Sequence, residues 1–203
     1  MNTLISQVFD KYCAEYKRVL QQFTPYPDQS RHSLHEVNQV ATSQKIYEQE
    51  RRPKNVITWL ELGVKALNEG NNRTSHIDGF IADMDKKTII FIEAKRLSRD
   101  KNICGLCEDL TRVKKIKAFN INGPDFQSDT FSGFTAYCVL LADFCNDHHH
   151  LSSENMPLIV GKDEKETQVE CSEDMKKISL CKPRKISDNY YLMYALHEIS
   201  NFK

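Results

Sequence analysis

Three charged residues stand inside two strongly apolar segments: Asp78 within Ile-Asp-Gly-Phe-Ile, and Glu93 and Lys95 within Ile-Phe-Ile-Glu-Ala-Lys. Residues two apart in a strand share a face, so Glu93 and Lys95 point one way while Ile92 and Ala94 point to the packed side. Asp85-Lys86-Lys87 separates the segments as a turn. With Asp85-Lys86 as a two-residue hairpin loop, Met84 opposes Lys87 and Asp78 lies across from Glu93, with Cβ atoms roughly 5 Å apart. Two carboxylates side by side in apolar surroundings are costly unless a cation or a proton separates them. A hard cation such as Mg²⁺ takes carboxylate and carbonyl oxygens, and an adjacent Lys can orient or deprotonate a water. That set suits metal-assisted phosphodiester hydrolysis. The same residues also read as a cross-strand network in which Lys95 merely neutralises Asp78 and Glu93.

The elements that must position these residues follow from periodicity. Ile5, Val8, Phe9, Tyr12, Tyr16, Val19, Leu20 and Phe23 recur at spacings of three and four, which predicts a helix over 3–23. Thr24-Pro25-Tyr26-Pro27-Asp28 breaks it. A second helix is predicted from Ser33, with Glu36 as a capping-box residue, to about Glu50 before Pro53. The period then shortens: strands are predicted over 56–64, 76–84 and 88–95, then a helix over 104–119 and a strand over 134–143. Further on, 158–160 and 178–180 read as short strands and 189–199 as a final helix. Helix, three strands, helix and strand is not the alternation of a doubly wound fold. It predicts one α/β domain with a mixed sheet containing a β-meander: an N-terminal helix and linker (1–30), a core (33–143) and a C-terminal extension ending in a helix (144–203).

Ile-Asp78-Gly followed, after one hairpin turn, by Ile-Glu93-Ala-Lys95 resembles the PD-(D/E)XK nuclease superfamily. The resemblance covers Glu36 to about Asp143 and extends to the restriction-endonuclease-like αβββαβ order of elements. Ile77 stands where that family commonly has Pro, and the Gln-x-x-x-Tyr of RecB-type members is absent. The resemblance implies a nuclease using Mg²⁺ or Mn²⁺, with DNA expected as substrate ahead of RNA and the sequence itself not distinguishing the two. Asp78 and Glu93 would be metal ligands, the carbonyl of Ala94 a further one, and Lys95 would position or activate water. Glu36 would be an accessory ligand or base, with Glu48, Glu50 and Glu61 as alternatives. A homodimer would supply the two active sites that duplex cutting often requires. Two other readings use the same residues differently: a non-catalytic binding module that keeps the fold and the triad, and an interaction subunit.

The 203 residues carry 28 Lys+Arg against 28 Asp+Glu, which excludes nucleic-acid binding by bulk charge. The charges are segregated along the chain. Residues 95–118 hold eight basic side chains, Arg96, Arg99, Arg112, Lys114 and Lys115 among them, against Asp100, Glu108 and Asp109. Such a run beside the triad would track a phosphate backbone, or would simply form a solvated helix face. Residues 146–174 are acidic and would suit a basic protein partner. Asp10 and Lys11 interrupt any leader-like apolar run, and seven cysteines without a regular framework suggest reduced thiols, so a cytoplasmic location is expected. Cys104 and Cys107 have metal or redox spacing but read as small buried thiols, and Trp59 reads as core.

Overall fold

The computed structural model describes residues 2–21, 36–51, 55–65, 74–97, 100–121, 130–145, 166–171, 176–181, 184–185, 190–200 and 202. The N-terminal helix α1 (Asn2–Leu20) is followed by α2 (Glu36–Glu50), then by strands β1 (Val56–Lys65), β2 (Thr74–Asp83) and β3 (Thr88–Arg96). Helix α3 (Asp100–Val113) and a 3₁₀ turn (Ala118–Ile121) lead to β4 (Thr135–Cys145). The remaining strands are β5 (Glu166–Cys171), β6 (Lys176–Cys181), β7 (Arg184–Lys185) and β8 (Tyr190–Ile199). A mixed six-stranded sheet has the order β1-β2-β3-β4-β8-β7, and β5 and β6 form a separate antiparallel pair.

Strands β1, β2 and β3 are an antiparallel meander, while β4 runs parallel to β3 after the α3 crossover. The meander forms because apolar and β-branched residues fill both faces of β2 and β3: Ile77, Phe80, Ile81, Ile89, Ile90, Phe91 and Ile92 are all fully buried. One face packs against α1 and α2 through Ile81, Ile90, Ile92 and Ala94; the other packs against α3 through Phe80, Phe91 and Leu140. Glu93 and Lys95, of opposite parity to Ile92 and Ala94, therefore face α3.

Helix α2 buries Gln39, Val40, Ser43, Gln44, Ile46 and Tyr47, a stripe spaced by three and four. Gln44 Nε2 donates to the carbonyls of Trp59 (2.8 Å) and Phe80 (3.1 Å), which ties the helix to β1 and β2. At its far end Arg51 pairs with the buried Asp83 at 2.5 Å, and the Tyr47 hydroxyl donates to the same carboxylate. Gly79 permits this approach, because a Cβ there would meet Val40 Cγ1 at 2.2 Å.

Two sequence expectations are corrected. Residues 190–199 form strand β8 rather than a helix, pairing antiparallel with β4 from Ala136↔Ile199 to Cys145↔Tyr190. Leu192 and Tyr190 face the α1 side while Met193, Ala195 and Ile199 face the other, so the segment is apolar on both faces and period alone does not separate strand from helix. The extension thus ends inside the main sheet. Trp59 is 43% exposed rather than core, because β1 is an edge strand. The predicted breaks at 24–28 and Pro53, the strand at 158–160 and the Ser33 cap lie outside the described residues. Among the described residues no helix is long and apolar enough to cross a membrane.

Replacing Gly79 with Ala should destabilise the protein by roughly 1–3 kcal/mol, the usual cost of overpacking a closed contact. Denaturant unfolding checks this, and an unchanged midpoint would show that α2 does not depend on the close approach.

Candidate functional site

Opposing residues of β2 and β3 pair as Asp83↔Thr88 through Gly79↔Ile92, the register expected from the hairpin, and the Lys87 N–H meets the Met84 carbonyl at 3.4 Å. Asp78 and Glu93 occupy the next position, where the ladder stops. β3 continues, and its backbone donors must be satisfied without β2. Carboxylates replace the missing strand: Asp78 Oδ2 accepts the Ala94 N–H at 2.8 Å and Glu36 Oε1 accepts the Arg96 N–H at 2.9 Å. Hydrogen bonds to charged groups contribute about 1.5–3 kcal/mol each. The N–H and C=O of one strand residue project to the same edge, so the Ala94 carbonyl is turned toward Asp78.

The neighbouring ladder is disturbed at the same level. β1 and β2 pair at Leu60↔Gly79 and Leu62↔Ile77 but skip Glu61 and Asp78, and Glu61 has φ 53°. Left-handed backbone is uncommon for a non-glycine residue and clusters at functional sites. Glu61, Asp78, Glu36 and Val37 line one cleft of about 300 Å³. The sheet thus splays open at Asp78, and three carboxylates face the gap.

Glu93 is 1% exposed. Arg112 of α3 donates from Nη2 to Glu93 Oε1 at 2.6 Å, while Glu93 Oε2 is buried without a hydrogen-bond partner. Burial, then the charges of Asp109 and Asp78, push the Glu93 carboxyl up to about 8; Arg112 offsets only part of this. Lys95 Nζ pairs with Asp109 at 3.1 Å. Burial alone would depress Lys95, but Asp109, Glu36 and Asp78 outweigh it and hold the ammonium above its ordinary value. Asp109 also receives Arg112 Nη2 at 3.0 Å, which closes a four-residue chain of alternating charge.

The structure therefore brings Glu36, Asp78, Glu93, Ala94 and Lys95 to one end of the sheet. Of the alternative glutamates, Glu61 joins the cleft, whereas Glu48 accepts from Thr58 Oγ1 (2.7 Å) and Glu50 pairs with Lys11 (2.6 Å), both away from it. Among the basic residues, Arg96 pairs with the buried Asp143 at 2.8 Å and Arg112 belongs to the Glu93 network. Lys114 and Lys115 are exposed at the end of α3, and Arg99 lies outside the described residues. Cys104 is disulfide-bonded and Cys107 is buried, so the pair does not stand as two thiols. Disulfide bonding depends on Cα approach in space, which odd, irregular cysteine spacing does not reveal.

Asp109 escaped the sequence reading. Its signal was available: it sits three residues after Leu106 and four before Val113, an acidic residue on the apolar stripe of α3.

Among the described residues no group of three or more His, Cys, Asp or Glu side chains is placed to hold a metal ion by itself. Mg²⁺ asks for less: one or two carboxylates, with waters and substrate phosphates completing its shell. Asp78 and Glu93 would supply two such carboxylates, and the Ala94 carbonyl would add an oxygen. The sequence matches no family model, and neither curated proteins nor solved structures contain a match to the chain.

The elevated Glu93 value predicts a titration near pH 8 in the metal-free protein, measurable by carboxyl-carbon NMR. Because the folded state favours the protonated side chain, ionising Glu93 costs stability as pH rises from the ordinary carboxylate range to about 8. Asp109→Asn should lower this midpoint by removing the larger of the two repulsive charges. Titration of Glu93 in the ordinary carboxylate range would contradict the account.

Proposed function

We propose that this chain is a divalent-cation-dependent nuclease of the restriction-endonuclease-like type, hydrolysing phosphodiester bonds in DNA. The observation that carries the reading is the juxtaposition of Asp78 and Glu93 where β2 leaves β3, with Glu93 Oε2 buried and without a hydrogen-bond partner. The run α2-β1-β2-β3-α3-β4 has the αβββαβ order that the PD-(D/E)XK resemblance leads one to expect, which supports the same reading.

Asp78 and Glu93 would hold Mg²⁺ or Mn²⁺, with the Ala94 carbonyl beside them. The chemistry supplied by the bound ion is polarisation of a phosphoryl oxygen and acidification of a coordinated water. Lys95 enters as an ammonium, since its surroundings raise rather than lower its proton affinity. It therefore orients water and opposes charge developing on the phosphate, and does not serve as the base. Glu36 is anchored by the Arg96 N–H through Oε1 and lines the cleft, and in this reading it would accept a proton or hold a water there. The exposed Lys114 and Lys115 extend the site with positive charge for a phosphate backbone.

A binding module without catalysis is favoured by a different observation: Glu93 and Lys95 already have partners of opposite charge in Arg112 and Asp109. Such a module would bind nucleic acid or protein with no cation dependence at Asp78 and Glu93.

The purified protein should cleave plasmid or single-stranded DNA in Mg²⁺ or Mn²⁺. Asp78→Ala and Glu93→Ala should each lose at least about a hundredfold in rate, since a bound metal contributes several kcal/mol to the transition state. The assay is gel-resolved cleavage alongside circular dichroism to confirm folding, with an RNA substrate run in parallel. Cleavage that survives both substitutions would remove the nuclease assignment from this site.

A further inference from the structure

We propose that Asp109 and Arg112, one turn apart on α3, are positioning residues of the cation site. Arg112 fixes one oxygen of Glu93 so that the other is presented to the ion, and Asp109 braces Arg112 while holding Lys95. The inference rests on the reading of Asp78 and Glu93 as cation ligands.

Three features of the geometry carry it. Arg112 binds Glu93 through Oε1 alone, at 2.6 Å, and leaves Oε2 buried and unpartnered. A free carboxylate rotates between two equivalent presentations, whereas a charge-assisted bond to one oxygen selects one of them. Asp109 is 6% exposed and contacts both cations of the site, Arg112 Nη2 at 3.0 Å and Lys95 Nζ at 3.1 Å. Both residues sit on the face of α3 turned to the sheet, where they meet Glu93 and Lys95 of β3.

A guanidinium on a metal-ligating carboxylate has two opposite consequences, and binding measurements separate them. As a positioning group it holds the ligand oxygen in place, and its removal weakens the metal. As a competitor it occupies the ligand, and its removal strengthens the metal. The partnerless Oε2 decides for positioning, because Glu93 has an oxygen to offer while Arg112 stays in place.

The experiment is calorimetric titration of the full chain with Mn²⁺, with thermal melts to confirm folding. Wild type should bind Mn²⁺ and Asp78→Ala should lose it. Arg112→Met should weaken binding about ten- to hundredfold, the usual effect of removing a partner that orients a ligand, and Arg112→Lys should recover part of that loss. Asp109→Asn should lower kcat on DNA at saturating Mn²⁺ with KM for DNA unchanged. If Arg112→Met does not fold, Arg112→Leu, apolar and with no donor to Glu93, makes the same comparison. Mn²⁺ affinity equal to or tighter than wild type in the folded Arg112 variant would overturn the positioning role while the Asp78-dependent site stands. Absence of any Asp78-dependent Mn²⁺ binding in wild type would overturn the cation site and this role together.

Discussion

Glu93 is a carboxylate inside a sheet, and the charges around it are arranged to make that tolerable. Its strand is apolar on both faces and is one of the two central strands of the sheet, between β2 and β4, and Glu93 is buried there. An ionised carboxylate in such a place needs a counter-charge or a proton. Arg112 supplies one guanidinium, but the same guanidinium also serves Asp109, and Asp78 adds further negative charge nearby. The carboxylates outweigh the cations available to them. A proton on Glu93 or a bound divalent cation would each correct the imbalance, and the proposed metal centre rests on the second.

The splaying of β2 from β3 is the second constraint, and it follows from how the backbone is satisfied. Ala94 and Arg96 turn their N–H groups to an edge that β2 has left, and Asp78 and Glu36 take the place of its carbonyls. Each carboxylate thereby has one oxygen committed to structure and another directed elsewhere. Helix α2 must lie close enough for Glu36 to reach β3, which the bare Cα of Gly79 allows and the Gln44 amide enforces. On the opposite face α3 brings Asp109 and Arg112 to Lys95 and Glu93. Two helices and a gap between strands thus converge on four residues of β3, Glu93 to Arg96.

Much of this arrangement was legible in the sequence. The hydrophobic pattern does not set the register of two segments apolar on both faces, but with Asp85-Lys86 taken as a two-residue loop the Asp78–Glu93 juxtaposition follows. What could not be read depends on contacts distant along the chain. Residues 190–199 carry apolar side chains on both faces and good helix formers such as Leu192, Met193 and Ala195; pairing with β4 makes them a strand. Arg112 belonged to a basic run, and only the rotation of α3 against β3 separates it from the exposed Lys114 and Lys115. Glu61 gave no local sign of its left-handed backbone, which arises where two ladders are interrupted together.

The central claim is that Asp78 and Glu93 hold one divalent cation in the opening between β2 and β3. The most direct measurement is a crystal structure soaked in Mn²⁺, read from anomalous density. The account predicts a single ion between an Asp78 carboxylate oxygen and Glu93 Oε2, at about 2.1 Å from each as for small hard cations, with Arg112 still on Glu93 Oε1. An empty gap at saturating Mn²⁺, or an ion bound elsewhere with Glu93 unchanged, would contradict it.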